Sequence, residues 1–126
     1  MPYEIDWEPS GVCFRFSGVV SDGDLVSSNE EVYASPLFPA MRYQIADFGT
    51  IDGFEASSET VRSVADSDRR AAEINPDVKV AIITSTPFMR GMSNMYALSH
   101  EAPGESWIVE IFEGEENARA WVVRSG

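Results

Sequence analysis

VKVAIITSTPFMRGMSNMYAL, Val78 to Leu98, is the stretch whose reading decides the fold. In its first half Val80 and Ile82 face one side of a strand while Ala81 and Ile83 face the other. A strand apolar on both sides belongs inside a sheet that is covered on both sides. Thr84-Ser85-Thr86 breaks the run. Pro87 then supplies the preset φ of a first helical position, with Thr86 as its N-cap. The stretch is a strand-turn-helix unit and predicts an α/β domain.

Downstream, Ala102-Pro103-Gly104-Glu105 reads as a loop and Trp107 to Phe112 as a strand, with Trp107, Val109 and Ile111 on its apolar side. Glu113-Gly114-Glu115-Glu116 opens a last helix that turns Ala118, Trp121 and Val122 inward. Upstream, Tyr3, Ile5 and Trp7 alternate with Glu4, Asp6 and Glu8, the period-two mark of a strand with one wet face. After a turn at Pro9-Ser10-Gly11 the alternation resumes at Val12, Phe14 and Phe16 and runs to about Val20, which predicts an N-terminal hairpin.

Ser21 followed by Asp24 is close to a capping box, and the helix behind it carries Leu25, Val26, Val32 and Tyr33 as its apolar stripe before Pro36 stops it. In Ser35 to Met41, Leu37, Phe38 and Met41 either tuck beneath the sheet or form an exposed binding lip. Tyr43 to Phe48 is a strand and Thr50 to Phe54 a connection. The next helix starts between Glu55 and Ser58 and buries Val61, Val64, Ala65, Ala71, Ala72 and Ile74. Arg62, Asp66, Arg69, Arg70 and Glu73 form its solvated face, with Asp66 and Arg70 spaced for an i,i+4 pair, and Asn75-Pro76-Asp77 ends it. The element order is ββαβαβαβα over one domain, residues 1–126, with right-handed crossovers.

Twenty-one acidic against nine basic side chains leave a net charge of −12, which repels phosphate backbones and anionic membranes, so nucleic acid is not an expected partner. No apolar run reaches the roughly 18 to 20 residues of a membrane span. The N-terminus, MPYEIDWEPSG, has neither the basic nor the apolar region of a secretory signal, so a cytoplasmic location is expected. The lone Cys13 alternates with Val12 and Phe14 and reads as a small buried hydrophobe, a reactive thiol being the alternative.

Residues with evident chemistry are few. His100, the single histidine, follows the Met-rich helix, where a cation caps the dipole at the surface. No nucleophile elbow, phosphate-cradling glycine motif, CxxC, HxxxH or DxDxDG loop is present, so neither a catalytic residue, a metal site nor a cofactor is expected. Two constellations remain. Phe88, Met89, Met92, Met95 and Tyr96 progress around the helix that Thr86 caps, so some cover the sheet and the rest offer a pliable apolar surface to a partner or ligand; the alternative is that all are core. Asp52, Gly53 and Phe54, with Ser57 and Ser58, form a strand-to-helix connection whose free N–H groups would receive an anion or phosphoryl group, plain N-capping being the alternative.

Taken together, four pieces resemble the SpoIIAA-like family, grouped with the STAS and Sec14-like folds. They are Gly18 through Leu25, Ile45 through Phe54, Val80 through Thr84 ahead of the Pro-started helix, and Phe112 through Ala118 with Ala120 and Trp121. The resemblance implies a mixed sheet of about five strands flanked by about four helices. In the sporulation branch of that family a serine after an Asp-ended strand is phosphorylated to switch partners. That position falls here at Gly53, so the switch residue is missing. The Sec14-like side implies an apolar cavity. The expectation is therefore a non-catalytic module binding a protein partner or a second copy of itself as a homodimer, the alternative being a carrier of a small apolar or lipid-like ligand. An enzyme would require Cys13, His100 and a carboxylate to converge.

Overall fold

The computed structural model describes residues 2–101 and 105–124. The elements are β1 (Tyr3–Trp7), β2 (Gly11–Phe16), β3 (Gly18–Val20), α1 (Asp22–Tyr33), β4 (Tyr43–Asp47), β5 (Ile51–Phe54), α2 (Ser58–Ile74), β6 (Lys79–Ile83), α3 (Pro87–Leu98), β7 (Ile108–Phe112) and α4 (Glu115–Val122). A short 3₁₀ turn, Phe38–Ala40, sits before β4. The strand-turn-helix unit is β6 and α3. Val80, Ala81, Ile82 and Ile83 are all buried, and Thr86 Oγ1 accepts from the Met89 N–H at 3.2 Å.

Five strands form a mixed sheet in the order β1-β2-β4-β6-β7. β1 is antiparallel to β2, and the other neighbours are parallel. Register assigns every side chain to a face. Val12, Gln44, Val80 and Val109 lie in one row, and Phe14, Ala46, Ile82 and Ile111 in the next. This face packs against α1, α2 and α3 through Val32, Val61, Ala65, Met89 and Tyr96. The opposite face presents Cys13, Tyr43, Ile45, Ala81 and Ile83 to α4, which covers them with Ala118, Trp121 and Val122. Arg119 fastens α4 to the sheet by reaching Glu8 at 2.8 and 3.0 Å.

Sequence and structure part in several places. The second strand does not run on to Val20. Gly18 takes φ +63°, a left-handed conformation that suits glycine, and the chain swings away. β3 then pairs in parallel with β5 in a separate two-stranded sheet, so Thr50 to Phe54, read as a connection, contains a strand. Val26, Leu37 and Ile74 are 38, 52 and 70% exposed, each pointing away from the layer its neighbours fill. Phe38 and Met41 are buried as expected. Asp66 pairs with Arg69 at i,i+3 instead of with Arg70, whose guanidinium donates to Ser67. Trp107 precedes β7, buried, with its indole N–H donating to the Asn75 carbonyl at 2.8 Å. Of the loop expected at Ala102 to Glu105, residues 102–104 lie outside the described residues.

The ends of α1 and α2 follow local chemistry. Ser21 and Asp24 complete a capping box, with the Asp24 N–H donating to Ser21 Oγ at 3.3 Å and the Ser21 N–H to Asp24 at 2.9 Å. Asn75 caps the C-terminal end of α2 and is itself buried. Its amide donates to the Phe38 and Met41 carbonyls at 2.9 and 2.7 Å, tying the 3₁₀ turn to the end of the helix.

Candidate functional site

At the ends of β5 and β6, Phe54 and Phe88 meet with ring centroids 6.2 Å apart. Phe54 also abuts the buried Phe48 at 6.0 Å, so a row of three rings leads from core to surface. Pro87 starts α3 at its first turn, and this geometry holds Phe88 outward, 59% exposed. Thr86, Asp52, Ser57 and Ser58 are exposed, whereas Gly53 is half-buried beside Val19. Phe54 from one constellation and Phe88 from the other thus meet in one lip.

Beneath the lip, between the sheet and α1, α2 and α3, lies a cavity of about 90 Å³. Phe54, Met89, Met92 and Tyr96 line it, while Met95 packs against the core without reaching it. The remaining wall comes chiefly from Phe14, Phe16, Phe48, Val80 and Ile82. Phe16 and Phe48 stack at 4.4 Å with planes 6° apart, so one side of the cavity is aromatic.

One carboxyl group among the described residues lines this apolar space. Asp68, 2% exposed on α2, accepts hydrogen bonds from the Tyr96 hydroxyl and, at 3.5 Å, from the Asn29 amide. Burial pushes its carboxyl up to about 8, against the smaller opposing effect of the Tyr96 hydrogen bond. Burial first, and Asp68 second, hold the Tyr96 hydroxyl well above its ordinary range. Sequence reasoning missed Asp68, although it sits three residues after Ala65 and seven after Val61, on the stripe those residues define. A carboxylate on a buried stripe was the available signal. Gln44, Ser28 and Ser93, also buried, add polar groups to the lining.

His100 is not a surface cap. Its side chain is 1% exposed, its ring stacks on Trp107 at 6.2 Å and lies 4.8 Å from Tyr96, and among the described residues neither ring nitrogen has a hydrogen-bond partner. Burial, followed by the nearby Arg69 cation, lowers its pKa to about 4. The Glu105 carboxylate stands 3.9 Å from Nδ1, beyond hydrogen-bond reach, and is shared with Arg69 at 3.6 Å. β7 approaches from the side and encloses the residue, which is a tertiary effect absent from its local sequence. Cys13 is fully buried, and burial raises its thiol to about 11. It belongs to the α4 side of the sheet, whereas His100 stacks within the opposite layer, so the two cannot form a dyad.

The start of α2 is already occupied. The Ser57 N–H donates to Asp22 at 2.8 Å, and Ser57 Oγ accepts from the Thr60 N–H at 3.2 Å. An arriving anion would meet the Asp22 carboxylate there. Among the described residues no three His, Cys, Asp or Glu side chains converge as a metal site, and no helix is long and apolar enough to cross a membrane.

No family model and no curated protein matches this chain. Solved structures do. The chain superposes on the anti-sigma factor antagonist SpoIIAA in its unphosphorylated form with a TM-score of 0.65 at 13% identity, over 98% of this chain and 99% of that one. The phosphorylated form of the Bacillus cell fate determinant SpoIIAA gives 0.61 at 16% identity, over 95 and 98%. An uncharacterized protein of the DUF3478 family from Shewanella loihica, with a SpoIIAA-like fold, gives 0.56 at 17%, over 95 and 91%. The fold is SpoIIAA-like, and at these identities the likeness extends to the fold alone.

Proposed function

We propose that residues 1–126 act as one non-catalytic, regulatory binding module that engages a protein partner through the lip of β5 and α3. The observation that carries this reading is Phe88, an aromatic side chain 59% exposed and backed by Phe54 on a fixed helix start. Binding surfaces centre on such aromatic anchors and surround them with polar groups. Here Asp52, Ser57, Ser58 and Thr86, close to the two rings in sequence, are the exposed polar residues. A net charge of −12 favours a partner that offers an apolar pocket with a basic margin, and disfavours a homodimer through the same lip. The fold shared with SpoIIAA, an anti-sigma factor antagonist, supports a regulatory role. The buried thiol of Cys13, with no second cysteine to pair with, accords with a cytoplasmic setting.

Phe88→Ser tests the reading. Because the ring is mostly outside, the variant should fold normally and lose any partner that wild type captures by at least about tenfold. Undiminished capture by F88S would remove the lip from the interface. The alternative, carriage of an apolar or lipid-like ligand, draws support from the apolar cavity lining. Its volume of about 90 Å³ is several-fold below the ~300–1,000 Å³ of drug-sized ligand sites, which argues against a lipid. Native mass spectrometry of freshly purified protein would reverse that ranking if it released a lipid mass.

A further inference from the structure

The carboxyl of Asp68 faces the cavity with acceptor capacity left over. A carboxylate offers about four lone-pair sites. Tyr96 and Asn29 fill two of them. The same cavity is lined by the aromatic residues Phe14, Phe16, Phe48, Phe54 and Tyr96. Ring faces are attractive to cations, most strongly where water is excluded. An anion would be opposed by the net charge of −12, and a neutral hydrocarbon would make no use of the carboxyl.

We propose that this cavity binds a small organic cation, an alkylammonium, held by the Asp68 carboxylate and the aromatic wall. The volume sets the size. A cavity of about 150 Å³ admits benzene, so about 90 Å³ admits roughly four non-hydrogen atoms. Asp68 holds its proton at neutral pH, so binding exchanges charge for charge. The ammonium enters, the Asp68 O–H bond breaks, and the proton leaves to solvent. Its ionisable neighbour here is Tyr96, which stays neutral throughout. Phe54 belongs both to the lip and to the cavity wall, but Phe88, on which the proposed partner contact rests, lines no part of the cavity.

Met89 and Met92 line the cavity and Met95, on the same helix, does not, so methionine methyl NMR of the full chain reads occupancy with an internal reference. Near-isosteric probes of about four non-hydrogen atoms separate the chemistries: isopropylammonium, isopropanol and acetate. The expected result at about pH 7 is a saturable shift of Met89 and Met92 with isopropylammonium, at least about tenfold tighter than with isopropanol, none with acetate, and proton release by calorimetry in two buffers. Asp68→Asn should weaken the ammonium by about tenfold or more. The wild-type comparison decides the matter even without that variant. Ammonium binding no tighter than the alcohol, the absence of a saturable shift up to the solubility limit, or unchanged affinity in D68N overturns the proposal.

Discussion

Replacing Asp68 with asparagine should stabilise the protein, and increasingly so as pH rises. In the folded chain the carboxyl titrates at about 8, against an ordinary value of 3.8. Between those values the unfolded chain has released the proton and the folded chain has not. The folded state therefore binds more protons, and its stability falls with rising pH by up to ~1.4 kcal/mol per unit. The contribution is fully present below the unfolded value and lost once pH passes the folded one. From about pH 5 to pH 8 the full loss would be about 4 kcal/mol, and relaxation around the buried charge leaves at least ~1.5 kcal/mol to be read. An asparagine in this place would have no such proton, while its amide could still meet Tyr96 and Asn29. The assay is urea unfolding of both proteins at several pH values across that window, the difference between them isolating this one group. A difference that stays flat with pH, or that shrinks as pH rises, would refute the assignment of a buried, protonated Asp68.

Asn75→Ala should cost about 2–4 kcal/mol in the same assay, because it strips hydrogen bonds from the Phe38 and Met41 carbonyls and leaves them buried. Gly11→Ala places a Cβ 2.6 Å from Tyr43 Cγ, and displacing that buried ring should lower stability by about 1–3 kcal/mol, measurable as a reduced urea midpoint. His100→Phe should keep the stack on Trp107 and flatten the acid limb of the stability curve. The folded imidazole resists its proton until about pH 4 while the unfolded one accepts it near 6.5, so wild type loses stability as pH falls through that interval and the variant does not. Equal acid sensitivity of the two proteins would contradict the buried, unpaired histidine.

What could be read from sequence divides along a physical line. β6, α3 and α4, the Ser21 capping box and Thr86 are set by near-neighbour chemistry, namely apolar alternation, helical spacing and short side chains that accept from the next turn. β3 and β5 are four residues or fewer, and their pairing depends on the turn at Gly18 and on a parallel partner more than thirty residues away. Short-range periodicity does not carry such information. The lip was legible in its parts, because Phe88 behind Pro87 and Phe54 behind Gly53 both stand out, but their contact is a product of the tertiary fold. The cavity was legible in Met89, Met92 and Tyr96, which line it, but not in Asp68, whose place on the α2 stripe breaks the apolar pattern. A charged residue among Arg62, Asp66, Arg69 and Arg70 is easily counted with the solvated face.

Asp68 and His100 also bear on each other through the residue they share. The Tyr96 hydroxyl donates to Asp68 while its ring lies 4.8 Å from the imidazole. Burial moves the acid up and the base down, so between about pH 4 and pH 8 both are neutral in the folded chain. Their linkage slopes have opposite signs. As pH rises from about 4 to 6.5 the histidine contribution increases and the aspartate contribution decreases at a similar rate, which leaves the sum of the two nearly level. Above about 6.5 only the aspartate still titrates, and stability declines toward pH 8. A fold that kept either group alone would slope throughout its range. Holding both around one tyrosine confines the slope to the neutral region, the same region in which a cation arriving at Asp68 has a proton to displace.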